Sequence, residues 1–205
     1  MTASGAALPR YVLVSDLGQI AEDELVLRVQ RAREPVVVLV RDKGLPREQR
    51  RALALRLTAV ARPLGHSVWI ADDVGLASEL DLDGVHLVST VALDAVARAR
   101  KEAPRAWVNV ACHSVEEALS RVSGPLIGAQ GRPDSVFLSP IFASPGKGLP
   151  LGVAAISALV ARLTAAEPPG AATKVIALGG IDRETAPSCF QAGAAAVASI
   201  RAELG

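Results

Sequence analysis

The 205 residues predict an α/β fold: a compact (β/α)8 TIM barrel with a truncated final helix. Three observations carry the prediction. Eight short β-branched runs recur along the chain, helical patterns separate them, and almost nothing follows the last run. Several runs are apolar throughout, as expected of strands buried on both faces of a parallel sheet. No linker or low-complexity tract interrupts the alternation, so residues 1–205 read as one domain of about 26 residues per unit.

In order, the strand candidates are Tyr11–Ser15, Pro35–Val40, Ser67–Ala71, Gly84–Leu87, Trp107–Ala111, Ser135–Leu138, Lys174–Leu178 and Ala195–Ile200. Residues 20–33 and 47–62 repeat apolar positions at three and four, the mark of an amphipathic helix. Shorter helices are expected over 91–101, 114–122, 153–166 and 183–192. Asp182, Ser114 and either Ser89 or Thr90 suit N-caps, and Gly65 and Gly193 suit helix ends. An open doubly wound sheet would use the same elements, but no G-x-G-x-x-G follows the first strand. After the eighth run only residues 201–205 remain. A curtailed eighth helix would leave apolar barrel surface for a second subunit to cover, giving a homodimer.

Composition narrows the partners. Half the residues are apolar but only six are aromatic, so no stacking platform for single-stranded nucleic acid is expected. The net charge is +1, so no strong field points to nucleic acid or an anionic membrane. Two cysteines make neither a disulfide framework nor a metal-ligand spacing. No apolar run suits a signal sequence or a membrane span. A soluble cytoplasmic protein is expected.

In such a barrel the site lies at the C-terminal ends of the strands. Four lysines stand against eighteen arginines, yet Lys43 and Lys147 both fall in βα loops. With Arg41 they would converge on an anion. Gly179-Gly180 after the seventh strand is either a tight turn or a phosphate cup, since bare backbone approaches oxygens closely. Cys112-His113 could move a proton, or His113-Ser114 could simply open a helix, with Glu117 completing a capping box. Asp72-Asp73 could hold Mg²⁺ beside a phosphate, or be one cap and one solvated carboxylate. His86 reads as a satisfied buried histidine and His66 as surface.

Seven segments then become specific together: VLVRDK (38–43), WIADDVGLA (69–77), DGVHL (83–87), ACHSVEEA (111–118), LSPIFASPGKG (138–148), VIALGGI (175–181) and QAGAAAVASI (191–200). In this order they resemble the thiamine phosphate synthase family and its thiazole tautomerase relatives across essentially the whole chain. The resemblance implies a barrel that joins hydroxymethylpyrimidine diphosphate to hydroxyethylthiazole phosphate and releases pyrophosphate. It places Arg41, Lys43 and Lys147 at the pyrophosphate and Asp72 on Mg²⁺. Ser144 becomes a substrate-contacting hydroxyl, and Gly179 and Gly180, with the backbone near Ile200 and Arg201, hold the thiazole phosphate. Cys112 and Ser139, at the ends of the fifth and sixth strands, join the substrate-binding set, with His113 as the available acid or base.

The chain departs from the family pattern at Leu39, Ala71, Val91, Gly146 and Arg201, where Gln, Asn, the second metal-binding Asp, a hydroxyl residue and Ser are usual. The tautomerase branch moves a proton on a carboxylated thiazole phosphate without metal, but its loop His is Pro140 here. Small phosphorylated substrates are thus the expected partners, as substrates of a synthase, of a tautomerase, or as ligands of a non-catalytic barrel.

Overall fold

A computed structural model describes residues 7–123, 129–166 and 173–201. Within them eight strands pair in parallel, each with the next in sequence. They are β1 (Tyr11–Val14), β2 (Val36–Val40), β3 (Ser67–Ala71), β4 (Gly84–Leu87), β5 (Trp107–Cys112), β6 (Ser135–Leu138), β7 (Lys174–Leu178) and β8 (Ala196–Ser199). β8 returns to β1, with Val12 opposite Ala198, and closes the barrel. Every expected strand is present to within one residue at each end.

Strand side chains alternate between two cores. Val12, Val14, Val37, Leu39, Trp69, Ala71, Phe137, Ile176, Ala196 and Ala198 fill the interior. Their neighbours, such as Val36, Val38 and Val40, face the surrounding helices. Three of the six aromatics, Trp69, Trp107 and Phe137, belong to this interior, and Trp69 and Trp107 stack with centroids 6.3 Å apart. Gly84 makes room for them, because a Cβ there would lie 2.5 Å from the Trp69 ring.

Seven helices cover the outside among the described residues: α1 (Glu22–Arg31), α2 (Arg47–Ala61), α3 (Val74–Glu79), α4 (Ala95–Glu102), α5 (Val115–Ser123), α6 (Val153–Ala166) and α7 (Ala186–Gln191). α3 has no counterpart in the sequence reading. It is six residues long and rests on Asp73, whose Oδ1 accepts from Leu76 N–H at 2.9 Å. α4 starts at Ala95, so neither Ser89 nor Thr90 caps it. α7 starts at Ala186 because Asp182 Oδ1 first draws in the N–H groups of Glu184 and Thr185, at 3.0 and 2.9 Å. The truncated eighth helix was expected over residues that include 202–205, which lie outside the described residues. Beside β8 and β1 the described wall has an apolar floor, with Leu13, Ala186, Pro187 and Phe190, bordered by arginines.

Two histidines are buried. His66, expected at the surface, is 6% exposed. Its Nδ1 accepts from Val36 N–H and its Nε2 donates to the Val29 carbonyl, so it bridges α1 and β2. His86 points into the barrel, where Nδ1 meets Asn109 Oδ1 at 2.5 Å and the ring packs edge-on against Phe137. An amide oxygen only accepts, so Nδ1 carries the proton. Burial, the largest influence, pushes the His86 pKa down from 6.5 to about 4.

The unfolded chain therefore takes up this proton before the folded one as pH falls. The His86 contribution to stability is intact above about pH 6.5 and declines towards about pH 4, with about 2 kcal/mol lost by pH 5. Urea denaturation of the wild type and of His86→Gln at pH 7 and pH 5 measures this. The variant is expected to show a correspondingly smaller loss between the two.

Candidate active site

At the C-terminal rim a cavity of about 570 Å³ opens above the inner core, floored by Val14, Leu178 and Ala198. Arg41, Ser139, Ser144, Lys147, Gly179, Gly180, Ile200 and Arg201 line it. Residues from the ends of β2, β6, β7 and β8, distant in sequence, are thus brought to one place by closure of the barrel.

The β6 loop is built onto the β7 turn. Ile141 N–H donates to the Leu178 carbonyl and Phe142 N–H to the Gly179 carbonyl, each at 2.9 Å. This contact explains the glycine pair. A Cβ on Gly179 would lie 2.9 Å from Pro140 Cα, and one on Gly180 would lie 2.6 Å from the Ala143 carbonyl oxygen. Both also have positive φ, 101° and 65°, where a side chain is strained. Farther along the loop, Lys147 N–H closes onto the Ser144 carbonyl at 3.1 Å, which folds Lys147 towards the cavity.

On the opposite side the β1 and β2 loops are locked by Asp42. This carboxylate, 8% exposed, accepts from the Ser15 hydroxyl and from Leu17 N–H. Ser15 Oγ in turn accepts from Arg41 N–H at 2.9 Å. Arg41 is thereby held at the backbone, while its guanidinium sits 3.7 Å from Asp16. Asp42 and Ser15 position the site, and Asp16 and Gln19 line it. Sequence reasoning did not select these four, although each lies within a βα loop beside a chosen residue or strand end.

Four chosen residues are not part of the cavity lining. Lys43 lies beside Asp72, with Nζ 3.1 Å from Oδ2. Cys112 is fully buried in the outer core and its thiol is pushed up to about 12 by burial, so it offers neither a thiolate nor a contact at the mouth. His113 is exposed and donates from Nδ1 to the Ser139 carbonyl at 3.0 Å. The capping arrangement there is real but displaced. Glu117 N–H donates to Ser114 Oγ, while the Glu117 carboxylate returns to His113 N–H rather than to Ser114.

Asp72 and Asp73, the candidate Mg²⁺ carboxylates, are engaged by the chain's own groups. Asp72 holds a left-handed backbone, φ 56°, and uses Oδ1 to accept from Val88 N–H at 2.8 Å and Oδ2 to pair with Lys43. Asp73 turns away to cap α3 and to pair with Arg47 and Arg50. Val91 offers no ligand, and no group of three or more His, Cys, Asp or Glu is gathered among the described residues.

A family model described as thiamine monophosphate synthase matches residues 11–202. The chain belongs to the thiamine monophosphate synthase family. It is 26% identical over 195 residues to the thiamine-phosphate synthase of Chlamydia caviae, covering 94% of this chain and 86% of that one. It is 32% identical over 185 residues to the thiamine biosynthesis bifunctional protein ThiED of Geobacter sulfurreducens, covering 89% of this chain but 35% of that longer protein. Among solved structures, thiamine phosphate pyrophosphorylase from Pyrococcus furiosus superimposes with a TM-score of 0.72 at 18% identity, covering 94% of this chain and 85% of that one. This last likeness concerns the fold. No helix among the described residues is long and apolar enough to cross a membrane.

The loop contact yields a direct prediction. Gly180→Ala is expected to destabilise the protein by about 2–4 kcal/mol, from the strained φ and the clash with the Ala143 carbonyl. Urea denaturation measures the loss. Gly146→Ala, at a positive φ of 71° but with nothing within 4 Å of the added Cβ, is expected to lose markedly less.

Proposed function

We propose that the chain is a thiamine phosphate synthase, joining hydroxymethylpyrimidine diphosphate to hydroxyethylthiazole phosphate with release of pyrophosphate. The observation that supports this most is the convergence of Arg41 and Lys147 with the side-chain-free Gly179-Gly180 turn on one cavity. In this reaction the bond between the pyrimidine methylene and the diphosphate oxygen breaks, and its electron pair leaves with pyrophosphate. The lone pair of the thiazole nitrogen then forms the new C–N bond. No proton moves at the reacting atoms, so neither His113 nor Cys112 is needed as acid or base.

The protein's task is to stabilise charge that grows on the leaving group and to hold the two partners close. Arg41 and Lys147 meet the diphosphate, and Lys43 joins them by exchanging Asp72 for a phosphate oxygen. The Gly179-Gly180 turn, with Ile200, Arg201 and the hydroxyls of Ser139 and Ser144, holds the thiazole phosphate and orients the ring. The Asp42–Ser15 pair keeps Arg41 in place. Its partners are small phosphorylated substrates, and its setting is the cytoplasm, in keeping with two free, buried cysteines.

Incubation with both substrates, with and without Mg²⁺, tests the reading, thiamine phosphate and pyrophosphate being the expected products. Absence of product under both conditions overturns it. Arg41→Ala and Lys147→Ala are each expected to lower kcat by about 100-fold or more, as loss of a group acting on developing charge does. Mg²⁺ titrated into the free protein is expected to give no saturable heat below about 1 mM, since a single engaged carboxylate is a poor Mg²⁺ site without substrate phosphates.

A further inference from the structure

A second cavity, larger than the one at the rim at about 850 Å³, lies on the outer wall between α1 and α7, over the seam where β8 meets β1. Arg10, Arg28, Arg31, Arg33 and Arg183 line it together with Phe190, and no carboxylate lines it among the described residues. Elsewhere on the surface several arginines pair with carboxylates: Arg51 with Glu79, Arg56 with Glu22, Arg98 with Asp94 and Arg105 with Asp81. In the groove, Arg10, Arg31 and Arg33 have no carboxylate within 4 Å among the described residues. A chain of net charge +1 thus places the like charges of Arg10, Arg31 and Arg33 around one concavity, an arrangement that an anion sharing it would relieve.

The groove is also organised. The Arg10 guanidinium lies 4.2 Å over the Phe190 ring, and Phe190 packs edge-on against Tyr11. Stacking holds a guanidinium by its face and leaves its N–H edge for an acceptor. Arg28 is held between Glu24 and the carbonyls of Ile200 and Arg201, at 3.2 and 2.9 Å. Those two residues also line the rim cavity, so the groove and the rim share a wall.

We propose that this groove binds a polyphosphate chain, as a site separate from the one at the barrel rim. A single phosphate would engage one or two of the guanidinia. Positions running from Arg10 before β1 to Arg31 and Arg33 at the end of α1 suit two or more linked phosphates, each taking forked N–H donors. The recognised chemistry is the linked phosphates, whether inorganic or carried by a nucleoside.

Calorimetric titration of the full chain with inorganic triphosphate, and separately with ATP, tests this. The wild type is expected to show two classes of site for triphosphate. Arg41→Ala/Lys147→Ala is expected to keep the groove class, and Arg31→Gln/Arg33→Gln, at exposed positions, to keep the rim class while weakening the other at least tenfold. Arg10→Gln, made separately, is expected to weaken the groove class at least threefold. Equal affinity for ATP and triphosphate identifies the phosphate chain alone as the ligand; tighter ATP binding identifies a nucleotide. Loss of all binding in the rim variant, or unchanged binding in both groove variants, overturns the proposal. These readouts are binding and not turnover, so they stand apart from the synthase assay.

Discussion

Closure of β8 onto β1 is the constraint on which the rest depends. Three Cα pairs, Tyr11 with Val197, Val12 with Ala198 and Leu13 with Ser199, convert an open ladder into a ring and remove both sheet edges. At the seam Val12 and Val14 of β1 and Ala196 and Ala198 of β8 face the interior, which Trp69 and Phe137 also fill. Once the ring closes, all eight strands end at one rim. Arg41, Ser144, Lys147, Gly179 and Ile200 then become neighbours, although as many as 159 positions separate them.

Rim geometry depends on two local devices. One is the glycine pair after β7, which lets the β6 loop lie directly against the turn and so carries Ser144 and Lys147 to the cavity. The other is the buried Asp42 carboxylate, which ties the β1 and β2 loops through Ser15 and Leu17. Neither Asp42 nor Ser15 lines the cavity; both act by holding the backbone beside Arg41. A buried carboxylate that accepts from a hydroxyl and a backbone N–H organises donors rather than meeting a ligand.

The net charge of +1 conceals a strongly uneven distribution. Acidic residues are used mostly on the helical surface, in pairs such as Arg51–Glu79, and in the loops as caps and backbone ties. Two cationic concavities remain, one at the rim and one on the outer wall, joined by the hold of Arg28 on the carbonyls of Ile200 and Arg201. The pairing of Asp72 with Lys43 belongs to the same economy of charge: a carboxylate near the rim is neutralised by a lysine rather than joined by a second carboxylate.

The strands could be read from the chain because burial on both faces leaves short, uninterrupted apolar runs, and that signal is local. Helices α1 and α2 were equally plain from their apolar spacing, whereas α3 was not read from the sequence and rests on the Asp73 cap. The cations Arg41 and Lys147 were accessible to reasoning because a barrel directs every strand end to one rim. Other side chains were decided only by three-dimensional packing. Cys112 and His113 are adjacent in sequence, yet one is buried in the outer core and the other is exposed beside Ser139. His66 was misread as surface because nothing near it in sequence shows that Val36 and Val29 would enclose its ring. Sequence by itself determined the order of elements and which of their ends carry charge. Which of those charges meet, which are neutralised and which are left facing a cavity depends on contacts between distant residues, and those exist only once the ring has closed.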